Sequence, residues 1–291
     1  MDQAEQLRNI IKANVKPRQP LARVITVTSG KGGVGKSNTA INLAIQFRKM
    51  GQQVIILDAD FGLANIEIMF GTVPKHNLCD LIYEGKNIKD IITWGPMEVG
   101  FISGGSGISG MTNLDKDYLN YIIQNLTQLD EMADMIIVDT GAGISDGVLE
   151  FLVASGEILL VTTPEPTSIT DSYSLLKALN RHPCYLRETT QIKVLANKVS
   201  GEAEAKALYA KLEAVVARYL KMPISYLGMI PQDSQLAKAV MQQAPVSLDN
   251  PRARSAMAYE AVAAKLMNKE LNKNLTKRGM TAFFSHIISR R

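Results

Sequence analysis

The sequence is poor in the residues that build metal and redox centres. It has 291 residues but only two cysteines, Cys79 and Cys184, and three histidines, His76, His182 and His286. None falls in a C-x-x-C or comparable spacing, which argues against a zinc or iron–sulfur site and for reduced thiols. No apolar run approaches the roughly 20 residues of a spanning helix. The head of the chain carries no signal-peptide pattern, so the expectation is a cytoplasmic protein. Internal repeats and low-complexity segments are also missing. A net charge of +4 is too mild to indicate nucleic acid by itself. That charge is uneven, gathering at Arg8, Lys12, Lys16, Arg18 and Arg23 and again at Lys265, Lys269, Lys273, Lys277, Arg278, Arg290 and Arg291. Solvated helix faces or an anionic partner would each account for these clusters.

What is present is a regular alternation. Residues 2–15 have apolar positions near helical spacing, and "KPRQP" then breaks the pattern. From Val24 onward, apolar β-branched runs alternate with amphipathic helices. The runs are "RVITVTS", "QVIILDAD", "EVGFIS", "MIIVDT", "EILLVTT", "TQIKVLANK" and "ISYLGMIP". Helices are expected at about 36–50, 113–131, 145–155, 167–181, 202–221 and 233–243, with a last long one from Asn250. Strands apolar on both faces, alternating with helices, predict an α/β fold. The expected form is a single doubly wound, mostly parallel sheet with helices on both faces over residues 21–271. Short helical extensions flank it at 1–20 and 272–291.

"SGKGGVGKSNTA", Ser29 to Ala40, satisfies two phosphate-binding patterns at once. Gly30, Gly32 and Gly35 fit the dinucleotide fingerprint, and Gly30 to Ser37 fit the P-loop. Asp58 and Asp60 at the end of the second strand lend the dinucleotide reading some support. The P-loop explains more residues. Backbone N–H groups of Gly32, Gly33, Val34, Gly35 and Lys36 would cradle phosphate where Ser37 and Asn38 open a helix. Lys36 would meet the β- and γ-phosphates, and Ser37 would meet Mg²⁺. "MIIVDTGAG" has the form of the acidic strand that completes such a site, with Asp139 toward the metal and Gly141 or Gly143 permitting a mobile loop. In "LANKVS", Asn197 can contact adenine, but Ser200 stands where a guanine-reading aspartate would be needed. The expected cofactors are ATP and Mg²⁺.

With these residues in view, the chain resembles the deviant Walker-A ATPases of the MinD/ParA group, whose signature K-G-G-x-G-K-[ST] is matched by Lys31 to Ser37. "VIILDADFGLANIEIMFG", "IIVDTGAG" and "GMIPQDSQLAKAVMQQAPV" follow in family order. The resemblance implies an ATP-bound homodimer in which Lys31 reaches the partner's phosphates, and slow hydrolysis that reopens it. A cation from the opposite subunit would offset the repulsion of two apposed triphosphates. It also implies that Asp60 positions the attacking water and that Asp58 lies close to the metal shell. Pro231 and Asp233 would then belong to the loop over adenine.

The two ends narrow the branch. Met280, Phe283, Phe284, Ile287 and Ile288 form one apolar helical face flanked by basic residues. Such a face would bind lipid weakly as one copy and firmly as two, or dock on the protein's own core. "DQAEQLR", with Asp2, Gln3, Gln6, Leu7 and Arg8, looks like the activator motif of the flagellar-number regulators, the FlhG (FleN, YlxH) branch. That branch implies stimulation of an FlhF-type GTPase, a flagellar switch or C-ring partner, and peripheral attachment to the inner face of the membrane. DNA binding is not expected. A ParA-type DNA-partitioning ATPase and a MinD-type division-site regulator remain the alternatives.

Overall fold

A computed structural model of the protein describes residues 21–60, 65–104, 125–268, 279–280 and 282–283. The strands are β1 (Arg23–Ser29), β2 (Val54–Ala59), β3 (Thr93–Trp94), β4 (Gly100–Ile102), β5 (Met135–Ala142), β6 (Glu157–Thr162), β7 (Gln191–Val199) and β8 (Ser225–Pro231). They form one eight-stranded sheet in the order β3-β4-β2-β5-β1-β6-β7-β8. Every neighbouring pair is parallel except β3 with β4. The α-helices are α1 (Lys36–Lys49), α2 (Asn65–Phe70), α3 (Leu78–Tyr83), α4 (Ile88–Ile91), α5 (Leu129–Met132), α6 (Asp146–Ala154), α7 (Pro166–Arg181), α8 (Glu202–Tyr219), α9 (Ser234–Met241), α10 (Val246–Asp249) and α11 (Arg254–Asn268).

Alternation of side chains along each strand explains the layering. Ile25, Val27, Ile56 and Ile137 point to one face, where Phe47 of α1 and Tyr259 and Leu266 of α11 cover them. Val24, Ile55, Leu57 and Ile136 point to the other, under Leu81 of α3, Leu129 of α5 and Phe151 of α6. Farther along that face, Leu152 of α6, Leu175 of α7 and Leu212 of α8 pack over Ile158 and Val194. All six positions of β2 and of β6 are buried, as strands covered on both sides require. The doubly wound, mostly parallel sheet expected from the alternation is therefore present. The antiparallel edge strand β3 and the short helices α2 to α4 were not anticipated. Of the helix expected at 113–131, only the part from residue 125 lies among the described residues.

Two features of the charged and apolar ends differ from the simplest sequence reading. Arg23 is not a solvated member of a basic cluster. Its Nε and Nη2 donate to Glu157 at 2.9 and 2.8 Å, and Nη1 donates to the carbonyl of Leu266 at 2.7 Å. Met280 and Phe283, two members of the predicted lipid-facing stripe, are buried in the same core as Leu129 and Phe151. An apolar face in water covers itself with the nearest apolar surface, and here the domain supplies it. Phe284, Ile287 and Ile288, and Asp2, Gln3, Gln6, Leu7 and Arg8, lie outside the described residues.

Candidate nucleotide site

The P-loop is the turn between β1 and α1, so it rises from a strand hydrogen-bonded on both sides, to β5 and to β6. The chain runs to opposite sides of β1 from here, the position at which open parallel sheets bind ligands at their carboxyl ends. Gly35 caps α1 in a left-handed conformation with φ of 98°. A Cβ there would sit 2.4 Å from Asn197 Nδ2, so only glycine fits. α1 has no side-chain cap and no acid in its first turn. Its leading N–H groups are thus left for an external anion, which the helix dipole favours. Two residues at the end of β7 brace the loop. Asn197 Nδ2 donates to the carbonyl of Val34 at 2.7 Å, and Lys198 Nζ donates to that of Gly33 at 2.8 Å.

The acids stand beside this loop. Asp58 on β2 and Asp139 on β5 are register partners. Asp139 is fully buried, and neither carboxylate oxygen has a hydrogen bond of ordinary geometry. Burial pushes its carboxyl up to about 7, while the neighbouring Ser37 hydroxyl and Lys36 charge pull it down and Asp60 adds repulsion. Asp58 is pushed up to about 8, first by burial and then by the charge of Asp139. Only the N–H groups of Asp60 and Ile66, donating at 3.1 and 3.4 Å, oppose this. Asp60 accepts from Asn65 Nδ2 at 3.5 Å, and Gly141 lies next to its carboxylate. Lys36, Ser37, Asp58, Asp60 and Asp139 thus lie together at this end of the sheet.

A buried carboxylate whose neighbours offset only part of its desolvation is costly unless a further cation completes it. Among the described residues, no group of three or more His, Cys, Asp or Glu side chains is placed to hold a metal alone. The donor set instead fits Mg²⁺, which takes one or two carboxylates and draws its remaining oxygens from phosphate and water. Ser37 and Asp139 would hold it, with Asp58 behind them.

Other expected residues are committed differently. Lys31 points back into its own chain, where Nζ donates to Glu165 Oε2 at 2.6 Å and to Thr167 Oγ1 at 2.9 Å. The Lys31 ammonium in turn holds the Glu165 carboxyl below its ordinary range. Asp233 caps α9 by accepting from the Gln235 N–H, and its second oxygen accepts from Ser255 N–H and Oγ. Pro231 ends β8, paired with Val199. Asn197 Oδ1 already accepts from the Lys198 N–H at 2.9 Å. Ser200 donates through N–H and Oγ to Glu204. Glu165, Thr167 and Lys198 were missed from sequence. For Lys198 the signal was there, directly after Asn197; the other two are separated from Lys31 by 134 and 136 positions.

Comparison with known proteins agrees with this geometry. A family model, ParA, described as "NUBPL iron-transfer P-loop NTPase", matches residues 20–267. The antiactivator FleN of Pseudomonas aeruginosa is 40% identical over 262 residues, covering 90% of this chain and 91% of that protein. The flagellum site-determining protein YlxH of Helicobacter pylori is 32% identical over 275 residues, covering 91% and 90%. In fold, the chain is similar to the septum site-determining protein MinD from Pyrococcus horikoshii, solved with Mg-ADP. The TM-score there is 0.67 at 22% identity, covering 85% of this chain and 97% of that one. By the family model over residues 20–267 and these two sequence relatives, the chain belongs to the ParA/MinD family of P-loop NTPases, in the branch of FleN and YlxH.

Proposed function

We propose that this chain is an ATP-driven switch that regulates flagellar number or placement. It binds ATP with Mg²⁺, pairs with a second copy, hydrolyses slowly and returns to the monomer. The observation that carries this reading is the buried Asp139 carboxylate, which stays raised despite the neighbouring Ser37 hydroxyl and Lys36 charge. It makes the nucleotide-free site electrostatically incomplete in the way a magnesium–triphosphate pair completes. Lys31 supports the switch part of the reading. Its charge is not spent on its own phosphate loop but parked on Glu165 and Thr167, from which it is free to move to a partner's phosphates. Ser200, occupied with Glu204, offers no guanine contact, which favours ATP. Asn197 Oδ1 retains a second lone pair for the adenine amine.

Membrane attachment follows from the C-terminal stripe. With Met280 and Phe283 docked, part of that apolar face is withheld; undocked and doubled in a dimer, it would bind lipid through effective concentration. The N-terminal "DQAEQLR" would stimulate an FlhF-type GTPase, and a flagellar switch component would read the dimer. Light scattering after size exclusion tests the core of this reading: mass should double with Mg·ATP and stay monomeric with Mg·ADP. Asp60→Ala should trap the ATP dimer and lower hydrolysis. An Asp60→Ala protein that hydrolyses at the normal rate overturns that role, and monomer under every nucleotide overturns the switch.

A further inference from the structure

The phosphate loop and the turn that ends β8 stand at the same end of the sheet. β8 runs parallel to β7, with Ile230 opposite Asn197 and Pro231 opposite Val199. The Gln232 N–H donates to the Val199 carbonyl at 2.8 Å, which keeps the 231–233 turn beside Asn197. A nucleotide with its phosphates on the cradle would meet this turn with its nucleoside end. Past Asp233 the chain leaves the sheet through α9 and α10 and returns as α11. The position of the turn therefore depends on what holds that excursion.

Three side chains of α1 hold it. Asn42, Gln46 and Lys49 are spaced i, i+4 and i+7, so they share one helical face. All three grip Ser247 of α10, which is fully buried. Its N–H donates to Asn42 Oδ1 at 3.0 Å, and its hydroxyl accepts from Gln46 Nε2 at 3.1 Å. Its carbonyl accepts from Lys49 Nζ at 2.6 Å. Gln46 Nε2 also donates to the Ala256 carbonyl at 3.4 Å. Ala256 follows Ser255, whose N–H and hydroxyl both donate to Asp233 in the turn. At the other end of this chain of contacts, Asn42 donates to the carbonyl of Asn38 in the first turn of α1, at 2.8 Å.

Packing alone does not call for an amide at this place. Gln46 is buried between Ile45 and Phe47 of the apolar core, where a leucine would avoid desolvating polar atoms. A buried polar network that finds its partners fixes one arrangement of the elements it joins. Here it joins the helix that opens from the phosphate loop to the segment that carries the 231–233 turn.

We propose that Gln46 is a positioning residue for the nucleoside end of the ligand. With Asn42 and Lys49 it sets how far the 231–233 turn stands from the phosphate cradle, without touching the nucleotide itself. This rests on the preceding reading of an adenine nucleotide site, and its test separates the two.

The full chain is compared with Gln46→Leu and Lys49→Met by calorimetric titration with Mg·ADP and with Mg·pyrophosphate. Pyrophosphate touches the cradle alone, and neither ligand is hydrolysed through the ATP cycle. The parent should bind ADP more tightly than pyrophosphate. Gln46→Leu should weaken ADP about tenfold and leave pyrophosphate unchanged, the scale of losing a buried hydrogen-bond donor. Lys49→Met, at an exposed position, should weaken ADP about threefold with pyrophosphate again unchanged. Equal weakening of both ligands reduces Gln46 to a structural role and overturns the proposal. So does an unchanged preference for ADP in both variants. If Gln46→Leu fails to fold, Lys49→Met decides by the same ratio. A parent that binds the two ligands equally overturns the reading of the turn as the nucleoside end, and the positioning role falls with it. A parent that prefers ADP, with variants that keep the preference, overturns the positioning role alone.

Discussion

The two ends of the sheet bury charge to the same depth and treat it in opposite ways. At the end where the strands begin, Glu157 is enclosed, but Arg23 meets both its oxygens and Lys193 lies against one of them. Burial pushes the Glu157 carboxyl up, and these two cations more than reverse the shift, holding it below its ordinary range. At the end where the strands finish, Asp58 and Asp139 are raised to about 8 and about 7, and the Ser37 hydroxyl and Lys36 charge beside Asp139 only partly offset its burial. Burial is common to both ends; what differs is whether the chain supplies enough counter-charge to reverse it. A carboxylate fully answered from within is architecture. One left unanswered marks where something from outside is to bind.

The comparison can be broken by substitution, and the largest effect belongs to the satisfied end. Glu157→Ala strands Arg23 and Lys193, and should cost about 3–5 kcal/mol in denaturant unfolding. Glu157→Gln should show its loss by pH. A carboxyl lowered in the folded state contributes stability above the ordinary carboxylate range and loses it as the pH falls. The parent's advantage over Glu157→Gln should therefore vanish on acidification; an advantage that grows instead would reverse the sign assigned here. At the unsatisfied end, Asp139→Asn should stabilise the nucleotide-free protein by about 1–3 kcal/mol while removing magnesium-dependent ATP hydrolysis. Thermal melts and a steady-state ATPase assay would check the two halves. Smallest is the exposed Lys31–Glu165 pair. Glu165→Gln should leave the melting temperature unchanged, yet lower the protein concentration at which ATP-bound dimers form by a few-fold. A change in melting with no change in dimerisation would mean the contact is merely structural.

How much of this was legible in the sequence follows the same division. The phosphate loop, "MIIVDTGAG" and the order of the strands were readable because each is a contiguous run whose spacing imposes its own geometry. Arg23 was not, because its meaning depends on Glu157, 134 positions away. Lys31 could be singled out as surplus to the phosphate loop, but nothing local names Glu165 as its holder. Met280 and Phe283 were recognisable as an apolar face, and periodicity says nothing about what will cover one. For Asp233 the sequence gives its place in the loop after β8, but not that its oxygens accept from the start of α9 and from Ser255. Strand β3 is too short, at two residues, to carry any alternation.

The braces from β7 have a consequence for how the protein tells one nucleotide from another. With Val34 held by Asn197 and Gly33 by Lys198, the cradle for the inner phosphates is already shaped before any ligand arrives. Such a preformed cradle greets ADP and ATP alike, and a ligand that binds two conformations equally shifts neither. Discrimination must therefore come from residues farther out, where the terminal phosphate ends. On the function proposed above, those are Asp60, just past the end of β2, and the turn at 143–145 that leads from β5 into α6. If the chain is the switch proposed above, rigidity in the inner half of the site leaves the outer half to carry the message.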